Sequence, residues 1–346
     1  ESSSRLVDAA RRRCSVGLLG FDIGLAGGTE REKGIAVVEK VGIIGLGLIG
    51  GSLARRLNAN GVEVTAWNHR PHPYAAAQAE GIHCVNTLAE LVAFEPQALV
   101  LCNPLKAMPR ILGELKPLLD EHPGITLTDV GSVKGMVLSQ VEQAGLGECY
   151  VGAHPMAGNE LSGWAAADPH LYDGALWAIT VRPTTAYRRF LTIAELIVND
   201  CGNRLIVLDS DTHDRAAGLI SHMPHVVATS LINELVDNHD RNIAAALAAG
   251  SWRDMTRVAL TDPNRTRAMV EEDRVNVEQL LRSMASRLTA VADALRDGDE
   301  SAMGEFFAEG QPFRDYKSAR EFPEGELAIP EQDWQRALLE SACRGE

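Results

Sequence analysis

Val41-Gly42-Ile43-Ile44-Gly45-Leu46-Gly47-Leu48-Ile49-Gly50 is a short apolar strand that runs into G-x-G-x-x-G and then into a helical pattern. Each glycine has a separate task. Gly45 permits the tight turn, Gly47 lets the backbone approach a pyrophosphate, and Gly50 allows the helix to pack closely on the strand. Leu48 and Ile49 open the helix, whose N-terminus supplies N–H donors and a positive dipole end. Alone, such a motif is weak evidence. Here strand, helix and a second strand all sit where a dinucleotide site requires them. The second strand ends in Asn68-His69-Arg70. An NAD site usually carries Asp or Glu there, about 20 residues on, to hold the ribose 2′-hydroxyl. A neutral Asn followed by Arg would instead welcome a 2′-phosphate, so NADP is favoured, with NAD as the alternative. The plain reading of Arg70 is a solvated loop residue.

From Val38 onward, β-branched runs alternate with amphipathic stretches. Strands are expected at Val41–Ile44, Val62–Trp67, Ala98–Cys102, Thr126–Val130, Ala175–Val181 and Leu205–Leu208; helices are expected at Ser52–Asn58, Met108–Leu119 and Tyr187–Val198. That rhythm predicts βαβ units, hence an α/β fold with a Rossmann-type, doubly wound, mostly parallel sheet. After Asp209 the rhythm stops and helical spacing takes over, which predicts an all-helical second domain. His213–Val236 reads as one long helix kinked at Pro224, and Val275–Leu295 as another. The chain of 346 residues thus divides into an N-terminal extension of unassigned role (1–38), a dinucleotide-binding domain (39–209) and a helical domain (210–346). This agrees with about 100–200 residues per domain.

The net charge of −14 and the absence of a long Lys/Arg run argue against nucleic acid or an acidic membrane surface as partner. No stretch approaches about 18 consecutive apolar residues, so no membrane span is expected. Six cysteines are scattered without a CxxC pair, which reads as free thiols in a reducing compartment, the cytoplasm.

Candidate catalytic groups cluster at strand ends, where ligands of open α/β sheets bind. Asp129-Val130-Gly131-Ser132-Val133-Lys134 closes one strand, and Gly152-Ala153-His154-Pro155-Met156-Ala157-Gly158 the next. Ser132 and His154 should therefore converge near the nicotinamide position. The helical part adds His213-Asp214-Arg215, Ser221-His222-Met223-Pro224-His225 and Trp252-Arg253-Asp254-Met255-Thr256-Arg257. His222 and His225 have a spacing that suits a helix face, but no third metal ligand is evident beside them, so no metal is expected. Asp214-Arg215 reads as a helix-start pair.

These blocks, in this order after the glycine motif, resemble the prephenate/arogenate dehydrogenase family over roughly residues 39–295. The resemblance implies oxidative decarboxylation of prephenate or arogenate with hydride transfer to NAD(P), giving 4-hydroxyphenylpyruvate or tyrosine. It also implies a homodimer formed through the helical domain. By the same resemblance His154 is the catalytic histidine and Ser132 its partner, which fixes its orientation and contacts the same oxygen. Arg257 binds substrate, and of the pair His222 and His225, both candidate substrate contacts, one is expected to touch substrate and the other to be structural, with His225 favoured as the contact. Asp254, three residues before Arg257, would steady the guanidinium. Two departures stand out. Asn159-Glu160-Leu161-Ser162-Gly163 replaces a usual T-E-x-S-G, and after Asp262-Pro263 the usual Met-Trp-x-Asp-Ile gives way to Asn264-Arg265-Thr266-Arg267-Ala268. The second exchange removes an aromatic wall and adds positive charge. The tail Asp333–Arg344 reads as an amphipathic helix for a partner subunit. On the residues alone, another NADP-dependent hydroxy-acid oxidoreductase and a non-catalytic NADP sensor remain open.

Overall fold

A computed structural model describes residues 38–319 and 331–343; the N-terminal extension, with Cys14, lies outside the described residues. Five parallel strands form the first sheet: β1 (Lys40–Ile44), β2 (Glu63–Trp67), β3 (His83–Val85), β4 (Ala98–Leu101) and β5 (Thr126–Asp129), in the order β3-β2-β1-β4-β5. Successive side chains on a strand point to opposite faces, and here both faces are covered. Val41, Ile43 and Val100 join one apolar cluster with the helix Leu48–Ala59. Ile44, Leu99 and Leu101 join a second with the helix Met108–Glu121. Strands buried on both sides read as near-continuous apolar runs, which is why β1, β2, β4 and β5 were legible.

The chain reverses its direction of travel across the sheet between β1 and β4, and the crevice outside such a switch point is where ligands bind. Gly45 lies there with φ +109°, and a Cβ on it would meet the Cys102 carbonyl oxygen at 2.9 Å. A Cβ on Gly50 would stand 2.0 Å from the Gly45 carbonyl oxygen and 2.8 Å from Cys102 Cβ. Turn and helix can approach this closely only as glycines.

The remaining strands form a separate sheet rather than extending the first. β6 (Gly152–Pro155) runs antiparallel to β7 (Leu176–Thr180), and β7 parallel to β8 (Arg204–Leu208). Among the described residues, the one backbone bridge between this segment and β5 is Leu127–Tyr150. The expected single sheet is therefore split, because the Asp129 side chain, not a full ladder, ties β6 to the end of β5.

Beyond β8 the structure is helical through residue 319. Pro224 does not produce a simple kink. The helices Ser210–Ala217 and Met223–Asp237 are joined by a π-helical turn, Gly218–His222. The widened turn absorbs the hydrogen bond that proline cannot donate. Helix Arg274–Asp297 follows as predicted. This region buries few apolar side chains (Ala217, Met223, Ala228 and Val277) and leaves Leu247 77% and Leu260 70% exposed.

The last helix, Trp334–Cys343, packs on its own nucleotide-binding domain rather than standing free for a partner. Trp334 stacks on Phe190 with centroids 4.4 Å apart, and Gln335 Nε2 donates to the Arg182 carbonyl at 2.8 Å. Among the described residues, Cys84, Cys102, Cys149, Cys201 and Cys343 are free thiols, and no helix is long and apolar enough to cross a membrane.

Candidate active site

The helix after the glycine turn has an N-terminus of the kind that suits an anion. Gly47 caps it without a side-chain hydrogen bond, and its first turn holds no acid. A Cβ on Gly47 would meet nothing within 4 Å. Bare N–H donors facing open space at a positive helix end are the donor set a pyrophosphate needs. At the end of β2, the Asn68 carboxamide is partly committed to the protein: Oδ1 accepts from the Leu46 amide at 3.0 Å and Nδ2 donates to the Arg70 carbonyl at 2.7 Å. His69 and Arg70 are exposed, with no carboxylate beside them in sequence.

Next to this helix, a cavity of ≈ 520 Å³ opens between the two domains, within the range of about 300–1,000 Å³ usual for small-molecule sites. Leu48, Ile49, Ser132 and His154 line it from the nucleotide-binding side; His225, Arg257, Arg265 and Thr266 line it from the helical side. His222 does not. It is fully buried, and its Nδ1 bonds Asp273 Oδ2 at 2.7 Å, fastening the π turn to the start of helix Arg274–Asp297. Of the two candidate contacts, His222 thus takes the structural place and does not line the cavity. His225 faces the cavity with an unpartnered Nδ1 among the described residues. Burial, then the nearby His222, Arg265 and Arg257, lower its pKa against a raising hydrogen bond to Val258.

The β5 end explains why Asp129 and Lys134 accompany Ser132. Asp129 is fully buried; its Oδ2 accepts from the Gly131 amide at 2.8 Å and from Lys134 Nζ, its Oδ1 from Tyr150 OH at 2.7 Å. Lys134 Nζ also donates to the Ala153 carbonyl at 2.7 Å, one residue before His154. A buried ammonium–carboxylate pair therefore pins the loop carrying Ser132 to the strand carrying His154. Such a pair tolerates burial only because its remaining valences are bonded.

Ser132 makes no hydrogen bond to His154 here. The partner is His213, whose Nε2 lies 2.9 Å from His154 Nδ1, while His213 Nδ1 lies 2.8 Å from Asp214 Oδ1. Asp214 also accepts from the Lys134 and Gly135 amides at 2.7 and 2.8 Å, capping helix Lys134–Gln143 across the domain boundary. Burial would raise its pKa; the bonds from His213 and the two amides outweigh this and hold it below the ordinary carboxylate value. An ionised carboxylate can only accept, so the protons in the chain are assigned. His213 donates from Nδ1 and accepts at Nε2, and His154 donates from Nδ1. His154 Nε2 is left with a free lone pair. Burial, followed by the nearby His213, Lys134 and His222, each of which opposes a charge on this ring, holds the His154 pKa well below 6.5. The imidazole is neutral at pH 7 and able to take a proton.

Reading the sequence missed His213 and misplaced Asp214, which had looked like part of a helix-start pair. The available signal was Asp209: it already caps that helix, accepting from the Thr212 amide at 2.8 Å, which leaves Asp214 without a capping task there. Asp254 was also misplaced. It is exposed and pairs with Arg253 at 3.5 Å, and Arg257 forms no ion pair among the described residues. Nor do those residues contain three or more His, Cys, Asp or Glu arranged to hold a metal ion.

Comparison with known proteins agrees with this architecture. The family model for the prephenate dehydrogenase nucleotide-binding domain matches residues 53–207, and that for the prephenate dehydrogenase dimerization domain matches 209–309. The chain is 30% identical to prephenate dehydrogenase of Lactococcus lactis subsp. cremoris, covering 80% of this chain and 77% of that one. It is 27% identical to cyclohexadienyl dehydrogenase of Zymomonas mobilis subsp. mobilis, covering 81% and 96%. The crystal structure of A. aeolicus prephenate dehydrogenase, in complex with hydroxyphenyl propionate and NAD+, superposes with a TM-score of 0.72 at 27% identity, covering 81% of this chain and 98% of that one. With both halves matched in order over a shared fold, the chain belongs to the prephenate dehydrogenase family, the NAD(P)-dependent dehydrogenases built from a Rossmann domain and a helical domain.

Proposed function

We propose that the interdomain cavity is where a cyclohexadienol acid, prephenate or arogenate, is oxidatively decarboxylated, with His154 as the proton acceptor. The observation that carries this is the Asp214–His213–His154 chain, which leaves one basic nitrogen at a cavity that Arg257 lines from the other domain. A nicotinamide held beside the cavity would supply the hydride acceptor for ring C4. His154 Nε2 takes the C4 hydroxyl proton as that carbon becomes a carbonyl. The C1–carboxylate bond then breaks, carbon dioxide leaves, and its electron pair makes the ring aromatic. His154 returns its proton to the resulting phenolate oxygen, so no net proton is consumed. His213 and Asp214 are positioning residues: they fix the ring and tautomer of His154. Ser132, on the same wall, donates to the reacting oxygen. Arg257 holds a substrate carboxylate, where its planar fork of donors outperforms an ammonium, and His225 contacts the substrate beside it.

The glycine turn and the helix amides of Leu48 and Ile49 would hold the pyrophosphate, and Asn68, His69 and Arg70 the adenosine ribose. The cationic, acid-free end of β2 supports a preference for NADP over NAD. Steady-state assays of both substrates with both cofactors test the reading. The expected result is reduced nicotinamide formed with equimolar carbon dioxide, and kcat/KM higher with NADP than with NAD. Reduction without carbon dioxide release would point to an ordinary hydroxy-acid oxidoreductase, and no reduction with either substrate to a binding protein.

The helical domain is proposed to pair with a second copy of the chain. Leu247, Leu260, Val275 and Phe307, each more than 60% exposed, are too many large apolar side chains for a solvated surface. Light scattering should give the mass of two 37.3 kDa chains; a single-chain mass at micromolar concentration would contradict it.

A further inference from the structure

Arg265 lines the cavity, and its contacts cross the cavity mouth. It lies in the first turn of helix Pro263–Glu272, its amide bonded to the capping Asp262 Oδ1 at 2.9 Å. The guanidinium reaches the loop that follows β6. One terminal nitrogen donates to the Leu161 carbonyl at 2.9 Å and the other to the Asn159 carbonyl at 2.7 Å. Those two carbonyls flank Glu160, a carboxylate that lines the cavity. The loop's own bracing is slight: the Leu161 amide bonds Asn159 Oδ1 at 2.9 Å. Beside Arg265, Thr266 lines the same cavity with a buried hydroxyl that has no partner among the described residues. The turn of helix that grips the loop therefore also presents a polar contact inward.

We propose that Arg265 is a positioning residue that clasps the Asn159–Leu161 loop to the helical domain, so that Glu160 is held facing the cavity and sets how strongly the site distinguishes a substrate bearing an ammonium group from one bearing a keto group. This rests on the reading of the cavity as the cyclohexadienol site. Arginine is required because two carbonyls separated by one residue must be met at once by a planar fork; lysine offers a single point charge on a flexible stem. A carboxylate fixed at the wall favours a cationic substituent and repels an anionic one, while a carboxylate on a loose loop retreats into water and loses most of that discrimination.

The test is steady-state kinetics of R265A and R265K with prephenate and with arogenate, using the full-length protein. In R265A the ratio of kcat/KM between the two substrates should move roughly tenfold toward unity. The change should appear in KM, and the acid limb of the pH profile should stay where it is in the parent enzyme. R265K should recover only part of the ratio. Because Arg265 is exposed, the thermal midpoint should be preserved. The variant E160Q should show the same loss of discrimination, and adding R265A to it should cause no further change. An unchanged ratio in R265A overturns the proposal, as does a ratio that still shifts when R265A is added to E160Q. If the parent enzyme reduces no nicotinamide with either substrate, the underlying reading fails instead, and the two failures are told apart by that control.

Discussion

Replacing His154 with Asn is expected to lower kcat by about 10²–10⁴-fold, the usual share of a general base, while leaving nicotinamide affinity intact. Asn can keep a hydrogen bond toward His213 but has no lone pair of comparable basicity for the hydroxyl proton. Steady-state turnover and cofactor titration by fluorescence check this together; an undiminished kcat would remove His154 from the mechanism. The pH dependence gives an independent check. The His154 pKa lies well below its ordinary value because burial, and then the nearby His213, Lys134 and His222, oppose protonation. The catalytic form is the neutral one, so kcat/KM should be flat across pH 7 and should fall only on the acid side of about 6.5, with no such limb arising from residue 154 in the variant. Stability follows the same sign. A folded-state pKa lowered below the unfolded value of about 6.5 means that the unfolded chain binds the proton first. The contribution from His154 is therefore present above that value and lost as pH falls through the folded one.

Arg257→Gln should raise the substrate KM by roughly 10- to 100-fold, the equivalent of about 1.5–3 kcal/mol for a hydrogen bond to a charged group, with kcat changed far less. The site leaves Arg257 free for such a partner. It sits in the 3₁₀ segment Arg257–Leu260, lines the cavity and is not engaged by Asp254. Arg257→Lys should recover only part of the loss, since one ammonium cannot reproduce a two-point grip on a carboxylate. Initial-rate measurements over a wide substrate range check both variants. An unaltered KM in Arg257→Gln would place the carboxylate contact on another group.

Much of this was readable in advance because the strong signals are local. Strands covered on both faces announce themselves as β-branched runs, and the glycine motif carries its own steric logic in Gly45 and Gly50. The weak signals were of two kinds. β3 has three residues and β6 four, the latter containing both a histidine and a proline, so neither shows a period. The other kind depends on distant partners. His213 meets His154 across 59 positions of sequence, and Asp214 caps a helix in the other domain; local spacing makes Asp214 a helix-start residue and Asp254 an arginine's partner. The amphipathic pattern of Trp334–Cys343 was equally plain, yet amphipathicity names a buried face without naming what buries it. Here the cover comes from Phe190 and Tyr187 of the same chain. Pro224 was seen but its outcome was not, since a π turn depends on tertiary context.

A crystal structure of the full chain with oxidised nicotinamide cofactor and 4-hydroxyphenylpyruvate tests the central claim most directly. The phenolic oxygen should lie about 2.6–3.2 Å from His154 Nε2, with the carboxylate of the ligand on the Arg257 guanidinium and the ring against the nicotinamide. A ring bound in the reverse sense, phenol toward Arg257, or one lodged outside the space between the two domains, would contradict it.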